Sequence, residues 1–360
     1  MHQNNENRHS SGFIKLSKPF GNELILDVDG YVTDRDDRTK YGNRTGLGAI
    51  VFTNNFAAQD STSGITTRLT WGDSSMSLVT GVEYAHVQAA YKDLISAAAP
   101  EYDRGWNSWA LYGNGSYTYG RLTVIPGVRL DLTGVDGDNL SYTLGASWQF
   151  DQNTILRTYA AHGFTPPAPH SQSGGPQKLS TIQAGIESSA VPFLWLKGTL
   201  FYNALRGGVS SGILPRTSQN RQGIEVEART IQFSGLYLTG GYTYLYATNA
   251  DTGDQLQTTD LLSVPPHAVK LALNYGHPGC GLRSSLTGNY VWWNSSGSFS
   301  ASDTGMIWDL YLNWKLKSAY GLSPELFFTG HNLLNGIQTT DTTLYTNASR
   351  WYEGGVRVRF

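Results

Sequence analysis

Eight histidines, one cysteine and a scatter of carboxylates are the residues of this chain whose types could carry chemistry, and their spacing restricts what they can do. His162 and His170 flank the stretch GFTPPAP, where two imidazoles on one loop could hold a metal ion or a ligand, or simply face solvent. His86 and Glu83 lie three residues apart in a stretch of period two, so they fall on opposite faces and do not form a pair. Glu225 and Glu227 share a face, but Arg229 continues the row, which reads as a solvated charge ladder rather than a general acid and base. His267 follows Val-Pro-Pro at the start of a strand and reads as interfacial, and His331 beside Asn332 reads as a packing or girdle residue. Cys280 stands alone, which rules out an internal disulfide and a cysteine-based zinc site. No glycine-rich phosphate loop precedes a helix. The sequence therefore assigns no catalytic residue, no metal ligand and no cofactor, and the chain does not read as an enzyme.

The elements that must position these residues are strands. RLTVIPGVRLDLT puts Leu122, Val124, Val128, Leu130 and Leu132 on one face against Arg121, Thr123, Arg129 and Asp131. GLYLTGGYTYLYATN alternates in the same way, with Leu236, Leu238, Tyr242 and Tyr244 on its greasier side. MIWDLYLNWKL sets Trp308, Leu310, Leu312 and Trp314 against Asp309, Asn313 and Lys315, and the closing GGVRVRF sets Val356, Val358 and Phe360 against Arg357 and Arg359. Period two in segments this long marks half-exposed strands, and no helical periodicity is present. Many of the strands run to ten residues or more, longer than the usual five or six and matched to the roughly 9–11 tilted residues that cross a bilayer.

Composition points the same way. Charged residues make up 15% and hydrophobic ones 39%, both low, which suits a surface that need not face water everywhere. No run of about 18 apolar residues is present to make a membrane-spanning helix. A formal net charge of -2 gives no electrostatic reason to bind nucleic acid. MHQNNENRHSSG is not a signal peptide, and residues 1–10 are expected to be a disordered segment ahead of a barrel over residues 11–360.

Short and long connectors alternate, which in an antiparallel meander gathers short turns at one rim and long loops at the other, as in outer-membrane barrels. Counting gives about seventeen strands if Thr33 to Ser61 forms one long loop with a small hairpin at GLGAIVFT, and eighteen otherwise. Trp106, Trp109, Tyr117, Tyr119, Trp148, Phe150, Trp292, Trp293, Tyr311 and Trp351 fall near inferred strand ends, where aromatic girdles sit. The fold class is thus an all-β, transmembrane antiparallel barrel of 17–18 strands. Such a ring would be about 34 Å across and leave a gap of about 20 Å that packing cannot fill. Polar side chains must line that space: Arg121, Arg129, Asp131, Lys197, Glu225, Glu227, Arg229, Lys270, Asp309, Lys315, Arg357 and Arg359 are the expected lumen wall.

Several stretches resemble the barrel of TonB-dependent outer-membrane receptors. RTYAAHGFTPPAP is similar to the family's aromatic strand ending in a Gly-Phe-x-x-Pro turn, and QKLSTIQAGIES to the strand after it, with Ser180, Thr181 and Gln183 departing from the family pattern. GHNLLNGIQ resembles the penultimate strand's Asn-Leu motif, RWYEGGVRVRF the closing strand, and ALYGNGSYTYGRLTVIPGVRLDLT the mid-barrel hairpin. The family adds a plug domain and has twenty-two strands, so this chain reads as a plugless C-terminal portion.

What the resemblance implies is capture of a bulky, scarce nutrient (an iron–siderophore chelate, haem or cobalamin) at the extracellular mouth of a bacterial outer-membrane barrel. Tyr91, Tyr102, Trp106, His162, Phe164, His170 and Tyr345 are the candidate ligand contacts by position. Expected partners are outer-membrane lipid, the barrel-assembly machinery through Phe360, and the TonB complex through a plug not present here. The competing readings are a passive porin-like channel complete as written, a barrel enzyme at one rim, and a soluble propeller or sandwich.

Overall fold

A computed structural model describes residues 2–44, 50–93, 102–134, 137–166, 175–207, 218–256, 265–277, 279–292, 305–318, 321–338 and 348–359. Its seventeen strands are β1 (His2–Phe20), β2 (Leu24–Arg44), β3 (Ile50–Gly72), β4 (Met76–Asp93), β5 (Tyr102–Tyr119), β6 (Leu122–Thr133), β7 (Gly137–Gln149), β8 (Thr154–Thr165), β9 (Gln177–Ser188), β10 (Leu194–Arg206), β11 (Gln219–Thr230), β12 (Leu236–Asn249), β13 (His267–Gly276), β14 (Leu282–Trp292), β15 (Ile307–Lys315), β16 (Ser323–His331) and β17 (Trp351–Arg359). There is no helix among the described residues. Antiparallel register runs in succession from β1 to β6 and from β11 to β17. The chain divides into two compact units, Met1–Ala146 with Tyr159–Ser180 and Leu205–Arg216, and Ser147–Thr158 with Thr181–Ala204 and Thr217–Phe360.

In the first unit the usual burial rule is inverted. On β6, Val128 is 52% exposed while Asp131, three residues on and across the strand, is only 7% exposed. On β3, Ile65, Leu69 and Trp71 stand on the exposed face, with Thr66, Arg68 and Thr70 behind them. In water, each such apolar side chain left uncovered forgoes about 1.5–3 kcal/mol of burial; against hydrocarbon it forgoes nothing. The polar face satisfies its own charges. Arg68 Nη2 donates to Asp27 Oδ2 at 2.9 Å, and Arg129 reaches Glu83 Oε2 with Nη1 at 3.1 Å and Asp131 Oδ1 with Nε at 2.9 Å. Tyr112 lies beneath the Arg129 guanidinium and spreads over Gly81, where an added Cβ would meet the phenol oxygen at 2.6 Å. Glycine is required at that position by close approach.

The second unit follows the same rule. Leu236, Leu238, Tyr242 and Tyr244 of β12 are exposed, whereas Thr239, Gly241 and Thr243 share their face with Arg229, Glu227 and Glu225 of β11. Glu187 takes Arg157 Nη2 at 3.0 Å and the Trp195 indole N–H at 3.2 Å, and Lys197 Nζ donates to Glu227 at 3.2 Å.

Connectors on one side are tight. The β5–β6 hairpin turns on Gly120 and Arg121, and Gly120 has φ of 58°, as a type II′ hairpin requires at its first central residue. Asp73 Oδ1 closes the β3–β4 turn by accepting from the backbone N–H of Ser75 (2.7 Å) and of Met76 (2.9 Å) and from the Ser75 hydroxyl. These bonds favour the ionised carboxyl and hold its pKa below the usual carboxylate value.

Measured from the short turns, the apolar band has a definite height. On β2 it runs through Leu26, Val28 and Val32 and ends at Asp34, ten positions beyond Leu24. Beyond it, facing residues of β1 and β2 carry opposite charges, Glu6 against Arg38 and Arg8 against Asp36. Histidines among aromatics mark the same height on other strands. His86 (ten positions from Met76) lies 2.9 Å from Asn107 Oδ1, which also accepts from Tyr84. His162 (eight from Thr154) stacks on Tyr142, and His267 (nine from Gly276) meets the Tyr242 hydroxyl at 2.8 Å and the Trp292 ring at 5.1 Å. A tilted strand crosses hydrocarbon in about 9–11 residues, so these clusters lie at the far headgroup level.

Several expectations need correction. Residues 2–10 continue β1 instead of forming a disordered segment. Thr33 to Ser61 is not a loop: β2 reaches Arg44 and β3 begins at Ile50, so the seventeen-strand count holds through a long hairpin. β4 runs on through Gln88–Asp93, and β5 begins with Tyr102–Gly105. Trp106, Tyr311 and Trp351 lie on the polar faces of their strands, opposite Val87, Ser285 and His331, instead of in the girdle, and Trp293 lies outside the described residues. Arg121 sits in its turn instead of on a strand face.

Candidate ligand-binding wall

In the first unit β1 to β5 continue well past the apolar band, and the polar face of this extension gathers aromatic rings. Phe56 of β3 stacks on Tyr91 of β4, with centroids 5.6 Å apart and planes 20° from parallel. Tyr91 pairs with Tyr102 of β5, and four residues along β5 Trp106 pairs with Val87, which puts Trp106 on the face of Tyr91 by strand alternation. Between them Ala89, 1% exposed, pairs with Arg104. Arg35 and Asp60 pair across β2 and β3 on the same face, and Arg35 is in ion-pair contact with Asp37. The result is a wall of flat rings with guanidinium and carboxylate groups alongside. Rings stack on planar or apolar ligand parts, and guanidinium binds anionic oxygens.

Of the seven residues proposed from sequence as ligand contacts, Tyr91 and Trp106 are brought to this one face, and the backbone of Tyr102 pairs with that of Tyr91. His162 is on the other: it lies 2.9 Å from Ser180 Oγ and stacks on Tyr142 in the band-edge cluster, and Phe164 follows it on the same face by alternation. His170 and Tyr345 lie outside the described residues, as does Phe360. Phe56, Arg35 and Arg104 were missed. Phe56 and Arg35 fall in a segment that read as loop, so period two was never applied to it.

The remaining residues named for the polar wall have defined places in the strand register. Lys270 pairs with Gly241 and Asn289, Asp309 with Thr287, and Lys315 with Glu325. Arg357 is 3.5 Å from Glu325, and Arg359 lies two residues on, on the same face. His331, read as a girdle residue, instead joins this face, stacked at 3.9 Å on Trp351 and 3.7 Å from Asp309. The GHNLLNGIQ stretch has a mechanical role. Asn332, at φ of 48°, donates from its backbone to Asp309 Oδ1 (2.8 Å) and from Nδ2 to the Gly336 and Ala348 carbonyls. Gln338 donates to the carbonyls of Asn289 and Gly305 and accepts from the Val291 N–H. Two amide side chains thus pin the connector after β16 onto the ends of β14 and β15. No group of metal-ligating side chains occurs among the described residues.

Known proteins agree with this geometry. No curated protein matches the chain in sequence. Among solved structures the copper transporter OprC superposes with a TM-score of 0.75 at 11% identity, over 97% of this chain and 64% of its own. The ferric enterobactin receptor PfeA from Pseudomonas aeruginosa gives 0.73 at 15% identity, over 99% and 62%. The ferric yersiniabactin uptake receptor FyuA from Yersinia pestis gives 0.69 at 13%, over 98% and 62%. The chain therefore spans less than two thirds of the length of these proteins, and at such identities the likeness is one of fold. The family model described as TonB dependent receptor-like, beta-barrel matches residues 3–333. With its apolar strand face toward lipid and its polar face toward the lumen, the chain belongs to the TonB-dependent receptor β-barrel family of the outer membrane.

Proposed function

We propose that this chain forms the ligand-capturing wall of an outer-membrane receptor for a bulky, scarce nutrient, an iron–siderophore chelate, haem or cobalamin, whose inward movement in the complete protein is driven through TonB. The observation that carries the reading is the Phe56–Tyr91 stack with Trp106 and Arg104 on the polar face above the apolar band. Those groups are lifted clear of the membrane on the side of the long connectors, where a solute arriving from outside is first met. Rings suit the aromatic or macrocyclic parts of such ligands and guanidinium their oxyanions. Relatives of the same fold are named for ferric citrate, ferric yersiniabactin and copper transport, which supports a metal-chelate substrate class.

The test is a binding panel of ferric siderophores, haem and cobalamin on the purified protein in detergent. One member is expected to bind, and Trp106→Ala or Tyr91→Ala to weaken it about tenfold, the worth of a stacked ring together with its buried area. Retention of full affinity by both variants for every bound ligand would overturn the assignment of this wall. In planar bilayers the chain should not give the stable, large conductance of an open passive channel; such a current would favour the porin-like alternative.

A further inference from the structure

The second unit carries a separate feature at the opposite, short-turn end of its polar face. Among the described residues, three of this unit's polar-face cations have a carboxylate within ion-pair distance: Arg157 has Glu187, Lys197 has Glu227, and Arg357 has Glu325. Arg229 and Arg283 do not. Arg229 lies over the Trp195 ring at 5.5 Å, and Arg283 stands beside Tyr237, Asn274, Ser285, Tyr311 and Asn313 in a concavity of about 370 Å³. A second concavity, of about 550 Å³, contains Trp195 and Arg229, and Tyr237 lines both. Ser285 Oγ donates to Asn274 Oδ1 at 2.8 Å, which leaves the Asn274 amide N–H groups as further donors toward the cavity. Asp309, up β15 on the same face, accepts from the Asn332 backbone and does not serve Arg283. The lining is therefore rich in donors and lacks an anion.

We infer that the Arg229–Tyr237–Arg283 strip is a carboxylate-binding site. A guanidinium fork accepts a carboxylate in bidentate fashion, the phenol and amide N–H groups complete its second oxygen, and Trp195 holds the Arg229 plane in place. The spacing of two arginines across one tyrosine suits two carboxylates on one ligand. Those carboxylates belong either to acidic side chains of a polypeptide lying against this wall or to a free dicarboxylate solute. The site is independent of the aromatic wall, since none of its residues is shared with it.

The experiment titrates the full chain in detergent micelles at low salt with a triglutamate peptide bearing an uncharged fluorophore, read by anisotropy, beside the equivalent triglutamine peptide. Triglutamate should bind and triglutamine should not. Arg283→Gln should weaken binding about tenfold, the loss of a charge-assisted hydrogen-bonded contact, and Arg229→Gln by several fold. Lys178→Gln, the same charge change on the lipid-side face of β9, should leave it within about twofold. Equal binding of both peptides, or undiminished affinity in Arg283→Gln, would refute the site. Should Arg283→Gln fail to fold, as judged by loss of heat-dependent gel mobility, Arg283→Lys is used, which keeps the charge without the fork and should bind more weakly than wild type. Succinate then separates the sources. Displacement of the peptide at comparable concentration identifies a small-solute site, and failure to displace it identifies a polypeptide-borne carboxylate.

Discussion

Strands β1 to β5 and strands β11 to β17 obey one rule of face and differ in one dimension, length. The former run from 18 to 23 residues, the latter from 9 to 14. A bilayer uses about ten of them, so β11 to β17 are close to the minimum while β1 to β5 add about ten residues, roughly 34 Å of extended chain. The lesson is that the lipid sets the alternation only within the band. Above it the former lipid face of β1 and β2 becomes a ladder of opposed charges, and the polar face becomes free to carry Phe56, Tyr91 and Trp106. The two units differ in charge too. The first pairs Arg68 and Arg129 with carboxylates inside its own wall, whereas the second leaves Arg229 and Arg283 without one.

The sharpest way to break the comparison is to put a cation in the band of each unit. Val128→Arg on β6 and Leu271→Arg on β13 should each cost about 2–4 kcal/mol, measured by denaturant unfolding in lipid vesicles. A large cost at one site alone would mean that only that unit meets lipid. The next effect separates paired from unpaired arginines. Arg129→Gln leaves Glu83 and Asp131 facing each other and should destabilise by about 1–2 kcal/mol, reduced from the fully buried case because the guanidinium is partly exposed. Arg283→Gln should fall within about 0.5 kcal/mol of wild type in the same assay. The smallest effect is at the β3–β4 turn. The Asp73 carboxyl has a folded pKa below its unfolded one, so its stabilisation is present above the ordinary carboxylate range and is lost as pH falls through the lowered value. Asp73→Asn should therefore lower Tm at pH 7 and match wild type once the pH is below that value; a constant offset at all pH would argue against the ionised cap.

The sequence declared the strands wherever lipid enforced period two. RLTVIPGVRLDLT, GLYLTGGYTYLYATN and the closing VRVRF were legible because one solvent is oil and the other is water, and each residue must choose. TDRDDRTKYGNR was not, since above the band both faces meet water, charges occupy both, and the alternation that reveals a strand disappears. The same loss hid Phe56 and Arg35 from the candidate site. Tyr91 and Trp106 were named by position alone. His162 was misplaced because the Gly-Phe-x-x-Pro turn suggested a loop, while β8 continues to Thr165 and holds the imidazole at the band edge on the lipid-side face.

Turns as brief as Gly120–Arg121, or closed as tightly as the one Asp73 caps, give an endoprotease no extended stretch to grip. Enzyme sealed with that side of the molecule should leave the polypeptide whole, while enzyme on the opposite side meets the connectors that are longer in sequence, residues 250–266 and 332–350. Limited digestion of reconstituted vesicles would thereby report which way round the chain has been inserted.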